Sequence, residues 1–292
     1  NDQGEAPRGL RPSGQRKETR LYGRLGSFEA ERPGAENGVV QGPLRGTRRS
    51  SRSPHRIVVG LEMPRFQSAT VSEIIEQRDG LQKVKLDDGS RAYALTDVVG
   101  RPQIGDVVIV NTIAVDLALG TGGWHVVHWV EGKRNPSPRP EENVLKARYL
   151  SEQIEVSPHI STRSDLQGAR VLLCLLHSHI GAVAITSASA RLGYLMTDQA
   201  SLPLALSDLA QQLIEVNRLA MTATAGQAFG GDLEVVNVPS GVAGLLDNDC
   251  PRILVGAGPG HVGTASPLGF SGLELAGHAS VLKSLGAEVG LC

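Results

Sequence analysis

The stretch Ile253-Leu254-Val255-Gly256-Ala257-Gly258-Pro259-Gly260-His261-Val262-Gly263-Thr264 constrains the fold more than any other. Its apolar run has no polar alternation, as in a strand buried on both faces of a helix-covered parallel sheet. The glycines that follow mark a tight turn at the carboxyl end of that strand. A second such turn, Gly226-Gln227-Ala228-Phe229-Gly230-Gly231-Asp232, follows another short apolar run. Two glycine-rich turns at strand ends give a place to look for a ligand without naming a reaction.

The surrounding pattern agrees. Runs at 171–176, 194–197 and 222–225 are of the same apolar kind, and 288–291 reads as a fifth strand. Leu206, Leu209, Ala210, Leu213 and Ile214 share one face at helical spacing, with Ser201 and Pro203 at the amino end. Ser271 is placed to cap a last helix with the stripe Leu275, Ala279, Leu282; 178–191 and 236–247 read as weaker helices. Strand-helix alternation predicts a doubly wound, mostly parallel, Rossmann-like α/β domain over 144–292, with right-handed crossovers.

Residues 66–131 predict a small β-barrel of the OB or SH3-like kind. Asp79-Gly80 and Asp88-Gly89 are hairpin-turn dipeptides, and between them Val84 and Leu86 alternate with Lys83, Lys85 and Asp87. Strand-like runs at 69–76, 92–95, 106–111 and 124–130 bring the number to five. A polar, proline-rich linker at 132–143 divides barrel from α/β domain. Residues 1–62 lack the large apolar side chains a core needs, which predicts a disordered basic leader. Because the first methionine is Met63, that leader also reads as extraneous sequence.

Charge bears on partners. Residues 1–56 hold 12 basic and 6 acidic side chains, leaving 17 of the 29 basic and 24 of the 30 acidic to the rest. The remainder is therefore net acidic, without broad attraction to nucleic acid or anionic membrane. Cys174, Cys250 and Cys292 show neither metal nor redox spacing in sequence, so the expectation is a reducing, cytoplasmic setting.

In an open parallel sheet, ligands bind beyond the carboxyl ends of the strands. His177-Ser178-His179, Asp198-Gln199 and the two glycine turns all fall there by pattern. His177, Asp198 and Asp232 are the candidate catalytic residues: imidazoles and carboxylates on one rim suit proton transfer or a divalent metal. Gly230, Gly231, Gly256, Gly258, Gly260, Gly263, Thr264 and Ser271 are the candidate ligand-binding residues, an anion cradle of backbone N–H groups leading to a helix start. The 256–261 spacing departs from the dinucleotide fingerprint at His261 and lacks the Walker Lys-Ser/Thr. Lys146 and Arg148 read as surface charges. Each turn also has a plain structural reading, since caps and tight turns demand the same residues.

Several longer motifs occur in order: Leu119-Gly120-Thr121-Gly122-Gly123-Trp124-His125, Lys146-Ala147-Arg148-Tyr149, Met196-Thr197-Asp198 with Leu202-Pro203, Gly226 through Glu234, Gly258 through Thr264, and Leu268-Gly269-Phe270-Ser271-Gly272. Over 66–292 the chain resembles the bacterial family known as domain of unknown function 3866, typical of actinobacteria and firmicutes. The resemblance implies no reaction and no cofactor. It implies a further strand and a basic, His-containing tail beyond Cys292, and a Gly-Thr where Ala265-Ser266 stands. The expectation is a protein binding a small anionic metabolite, a nucleotide or phosphorylated compound, with its enzymatic status open. Nucleic acid and membrane are not expected partners, and a homo-oligomer is compatible. The rival is a non-catalytic regulatory or interaction module whose barrel contacts a protein or nucleic-acid partner.

Overall fold

The computed structural model describes residues 64–118, 122–133, 144–187, 191–199 and 203–292. The expectation for the leader, most of the linker, and Leu119–Thr121 of the Gly-rich loop lies outside these residues.

Five strands close a barrel in the order β1-β2-β3-β5-β4. They are β1 (Phe66–Arg78), β2 (Leu81–Leu86), β3 (Arg91–Leu95), β4 (Val107–Asn111) and β5 (His125–Val130), with one-turn helices α1 (Thr96–Val99) and α2 (Ile113–Asp116) between them. β3 and β5 pair in parallel, a Greek-key closure of the OB kind. β1 is long enough to pair with both β2 and β4 because two irregularities, at Val71/Glu73 and Ile74/Glu76, bend it. Gly80 and Gly89, both at positive φ, make the two expected hairpin turns. Val71, Val84, Leu86, Val108 and Val110 fill the interior.

A short antiparallel pair follows, β6 (Val144–Lys146) and β7 (Ile154–Val156). Six strands then form an all-parallel sheet in the order β11-β10-β9-β12-β8-β13. Their ranges are β8 (Arg170–Cys174), β9 (Leu192–Thr197), β10 (Met221–Ala225), β11 (Leu233–Val235), β12 (Arg252–Ala257) and β13 (Glu288–Leu291). Helices α3 (His177–Thr186) and α4 (Asp208–Glu215) cover one face, meeting Tyr194, Met196 and Leu254. Helices α5 (Val238–Asp247) and α6 (Glu274–Ser284) cover the other, meeting Val171, Leu173, Leu195, Ile253 and Val255. The doubly wound expectation holds. Each fully buried Leu or Ile in these layers contributes about 1.5–3 kcal/mol.

Three local readings change. Helix α4 is capped by Ser207, whose Oγ accepts from Ala210 N at 2.9 Å; Leu204–Leu206 form a preceding 3-10 turn. Ser271 does not cap α6, which starts after a 3-10 turn with no side-chain cap. β11 escapes pattern reading because three residues are too few to show a period.

The β10–β11 connection is unusual. Parallel strands ordinarily need a crossover of about a dozen residues or more; here residues 226–232 suffice. The loop lies directly on β10, and a Cβ at Gly231 would stand 3.0 Å from Ala223 C and Thr224 N. In place of a crossover helix the fold uses Lys146, 1% exposed, at the end of β6. Its Nζ donates to Thr224 O at 3.1 Å, Ala228 O at 2.8 Å and Val235 O at 3.1 Å, and pairs with Glu234 Oε2 at 3.1 Å. Burial lowers its pKa, opposed by Glu234 and then Asp198. Lys146 is thus an interior cation tying three segments, not the surface charge expected.

Candidate functional site

The chain moves from β9 to β10 in one direction across the sheet and from β12 to β13 in the other. The point of divergence, between β9 and β12, is where ligands bind in such sheets. His177 opens α3 beside it. Its Nδ1 lies 3.1 Å from Ala257 O, the last residue of β12, and its Nε2 2.7 Å from Ser207 Oγ. A carbonyl only accepts, so Nδ1 carries the proton. Burial lowers the pKa of His177, opposed by the Ala257 hydrogen bond and reinforced by His261 nearby, which favours neutral imidazole. Nε2 is then an acceptor, the Ser207 hydroxyl donates to it, and the Ser207 oxygen takes the Ala210 N–H. Tyr194, fully buried, donates its hydroxyl to the same Ala257 O at 3.2 Å.

This resembles a nucleophile, base and orienting group in line. Ser207, however, is 1% exposed and occupied as a helix cap, so it presents no oxygen to a substrate. The chain of bonds orients His177; it does not arm a serine.

Other groups at this point are unspent. Among the described residues, His261 Nε2, Thr197 Oγ1 and both amide atoms of Gln199 are buried without a hydrogen-bond partner. Such atoms cost about 1–3 kcal/mol each unless water or a ligand meets them. His261 is held by Ser271 Oγ, 3.2 Å from its Nδ1, and by the Phe270 ring at 5.3 Å. Ser271 Oγ also accepts from Val262 N at 3.2 Å.

Pro203, Leu206, Phe229 and Pro259 of the rim face Tyr93, Leu95 and Val126 of the barrel across a cleft of about 510 Å³. Ala147 and Leu150 close one side, and the pair His128 Nδ1–Glu152 Oε1, 2.9 Å, spans it. Elsewhere the barrel docks through Arg78, which reaches Ala205 O and Asp208 Oδ1, each at 2.6 Å.

The structure does not bring all the expected residues together. His177 and Asp198 follow β8 and β9 at the carboxyl rim. Asp198 Oδ2 accepts from Gln227 N at 2.9 Å, and a Cβ at Gly226 would collide with its carboxylate. Asp232 stands level with Thr222, roughly 10 Å below the rim at strand spacing. Its Oδ2 accepts from Thr222 N and Oγ1, both at 2.8 Å. It closes the crossover, as do Gly231 on β10 and Gly230, whose N–H donates to Glu234 Oε1 at 2.6 Å. Gly256 lies inside β12 against Cys174 O. Gly258 is buried beside Ala257, while Gly260 is exposed at φ +94°. Gly263 bridges Phe270, and Thr264, exposed, donates its N–H to Gly269 O within the same loop. No continuous cradle of N–H groups runs from Gly258 to Ser271. His177 and His179 sit two apart on a helix and diverge, His179 Nδ1 meeting Cys292 O at 3.1 Å. Among the described residues, no group of three or more His, Cys, Asp or Glu is placed to hold a metal, and no helix is long and apolar enough to cross a membrane.

Sequence reasoning missed Tyr194, Ser207 and the barrel wall. Tyr194 carried one signal: it is a polar-tipped aromatic in an otherwise apolar run, so its hydroxyl had to find a partner.

A family model described as protein of unknown function DUF3866 matches residues 91–291, from β3 to the last residue of β13. The chain belongs to the DUF3866 family. Apart from Cys292, the matched stretch contains every α/β residue discussed above, and it includes the β3 and β5 walls of the cleft. A search of curated proteins gives no match.

Proposed function

We propose that this DUF3866 protein binds a small metabolite between its barrel and the carboxyl rim of its sheet. The observation that carries the reading is the coincidence of two features. An apolar cleft of about 510 Å³ opens against the rim, and buried polar atoms of His261, Gln199 and Thr197 stand unpartnered at the strand ends. Binding sites are usually apolar pockets with a few convergent polar groups. The walls of Pro203, Leu206, Phe229 and Pro259 suit a flat, apolar body such as a nucleobase. The free end of α3, which has no side-chain cap and begins two residues from β8, suits an anionic group. A nucleotide or phosphorylated metabolite satisfies both. The hydroxyl bonded to His177, that of Ser207, is buried as a helix cap, so the reading is recognition, with neutral His177 holding the rim in place.

The test is thermal unfolding with nucleoside monophosphates, dinucleotides and sugar phosphates, repeated on His261→Ala. The expected result is stabilisation of the wild type by one chemical class, about 2.7 kcal/mol at one hundred times Kd, and its loss in the variant. A flat response across the panel overturns the reading.

One observation favours a second reading. On the barrel, Lys83 Nζ lies 5.7 Å and Arg91 Cζ 4.6 Å from the centroid of the Trp124 ring. A basic and aromatic surface of this kind suits single-stranded nucleic acid. Salt-dependent oligonucleotide binding lost in Trp124→Ala would favour it.

A further inference from the structure

We infer that Cys174 and Cys292 are a thiol pair that closes to a disulfide on mild oxidation, clipping β13 to the end of β8 just before α3. The pair is far apart in sequence, and sheet register creates it. β13 runs parallel to β8 with Glu288 opposite Arg170 and Leu291 opposite Leu173. The backbone continues the ladder one step further, Cys292 N donating to Leu173 O at 2.9 Å. That bond is the one a residue opposite Cys174 makes. Facing residues of neighbouring strands have Cα atoms about 4.8 Å apart, inside the range of about 4.4–6.8 Å that a disulfide spans. In direct register their side chains leave the same face of the sheet. Cys174 belongs to the layer that meets α3 and α4, so Cys292 is directed to that side as well. On its other flank Cys174 faces Gly256, which offers no competing side chain.

The two thiols differ in a way that orders the chemistry. Cys174 is 1% exposed and its thiol is pushed up to about 12 by burial, then by Cys292, whose charge reaches it. Cys292 is exposed. Hydrogen peroxide therefore meets Cys292 first. Its thiolate attacks one peroxide oxygen, the S–O bond forms, the O–O bond breaks, and hydroxide leaves to take up a proton as water. The sulfur of Cys174 then attacks the Cys292 sulfenic sulfur. The S–S bond forms, the S–O bond breaks, and the departing hydroxide carries off the Cys174 proton as water. Each sulfur has lost one electron and the peroxide has gained two.

The Cβ atoms must draw in from sheet spacing to about 3.8 Å, and a pair under that strain is readily reduced again. The bond is thus reversible rather than structural. It lies three residues before His177, and His179 already holds the Cys292 carbonyl. Oxidation would tie the sheet edge to the start of α3.

The full chain, reduced and then exposed to hydrogen peroxide, is denatured, alkylated and mapped by mass spectrometry. The expected product is a monomer lighter by two hydrogens, its linked peptides carrying Cys174 and Cys292, with Cys250 alkylated and the starting mass restored by dithiothreitol. Cys292→Ser is expected to keep Cys174 and Cys250 both alkylatable after the same treatment. A dimer linked through Cys292, or Cys292 carrying added oxygen while Cys174 remains alkylatable, overturns the inference.

Discussion

The rim at β9 and β12 and the crossover between β10 and β11 are built from the same kinds of residues, and they spend them differently. At the crossover, Asp232 is taken by Thr222, Glu234 by Thr224, Gly230 and Lys146, and the Lys146 ammonium by three carbonyls. At the rim, His177 is taken, but His261 Nε2 and the Gln199 amide are left without a partner. A region whose polar groups are all taken up by its own backbone and side chains is a fold device. A region that leaves buried donors and acceptors free is where a ligand has something to gain. Glycine and aspartate at a strand end do not distinguish the two.

Lys146→Met is the most damaging way to press this contrast. It leaves Glu234, 13% exposed, and three carbonyls without their cation. Breaking a buried pair by removing one partner costs about 3–5 kcal/mol. Urea unfolding is expected to show that loss, or no folded protein, with partial recovery in Lys146→Met/Glu234→Gln. A cost under about 1 kcal/mol would deny Lys146 its role. Next in size is Gly231→Ala, whose Cβ would press on β10 backbone; overpacking of this kind costs about 1–3 kcal/mol. The matched rim change, Gly260→Ala, meets nothing within 4 Å and strains only its positive φ, so its cost is expected to be smaller, about 1 kcal/mol. Equal costs would erase the difference between the loops.

Much of the fold was legible because parallel strands announce themselves as unbroken apolar runs. β8, β9 and β12 are of that kind, and the Leu209, Ala210, Leu213 stripe located α4. What was not legible required long-range geometry. β11 is too short to have a period. Lys146 reads as surface because lysine ordinarily is, and only the juxtaposition of Thr224, Ala228 and Val235 makes an interior place for it. Asp232 was assigned to the rim because the loop containing it follows a strand, yet the chain doubles back along β10 before reaching it. Of the expected rim, His177 and Asp198 were legible from strand ends. Ser207 and Tyr194 became apparent only once α4 and β12 were in place. The pairing of Cys292 with Cys174 is invisible without the register of β13.

Two smaller effects sharpen the rim. Tyr194→Phe removes one of the two donors to Ala257 O, and a loss of about 1 kcal/mol in denaturant unfolding is expected; no loss would mean the hydroxyl orients nothing. His177 has its pKa lowered from 6.5 by burial. A depressed histidine binds its proton less readily folded than unfolded. Its contribution is therefore complete above about pH 6.5 and is lost as pH falls through the lower folded value. Between those limits the wild type is expected to lose more stability than His177→Gln, measured by urea midpoint. An identical pH profile in both would remove His177 from the account.

The most direct measurement is a titration with adenosine, guanosine, cytidine and uridine monophosphates, followed by NMR of histidine ring nitrogens and backbone amides. The account predicts that at least one nucleotide moves His261 Nε2 and the amides around Gly258, while Thr222, Gly231 and Asp232 stay in place. Shifts confined to Thr222, Gly231 and Asp232, or none with any nucleotide, would contradict it.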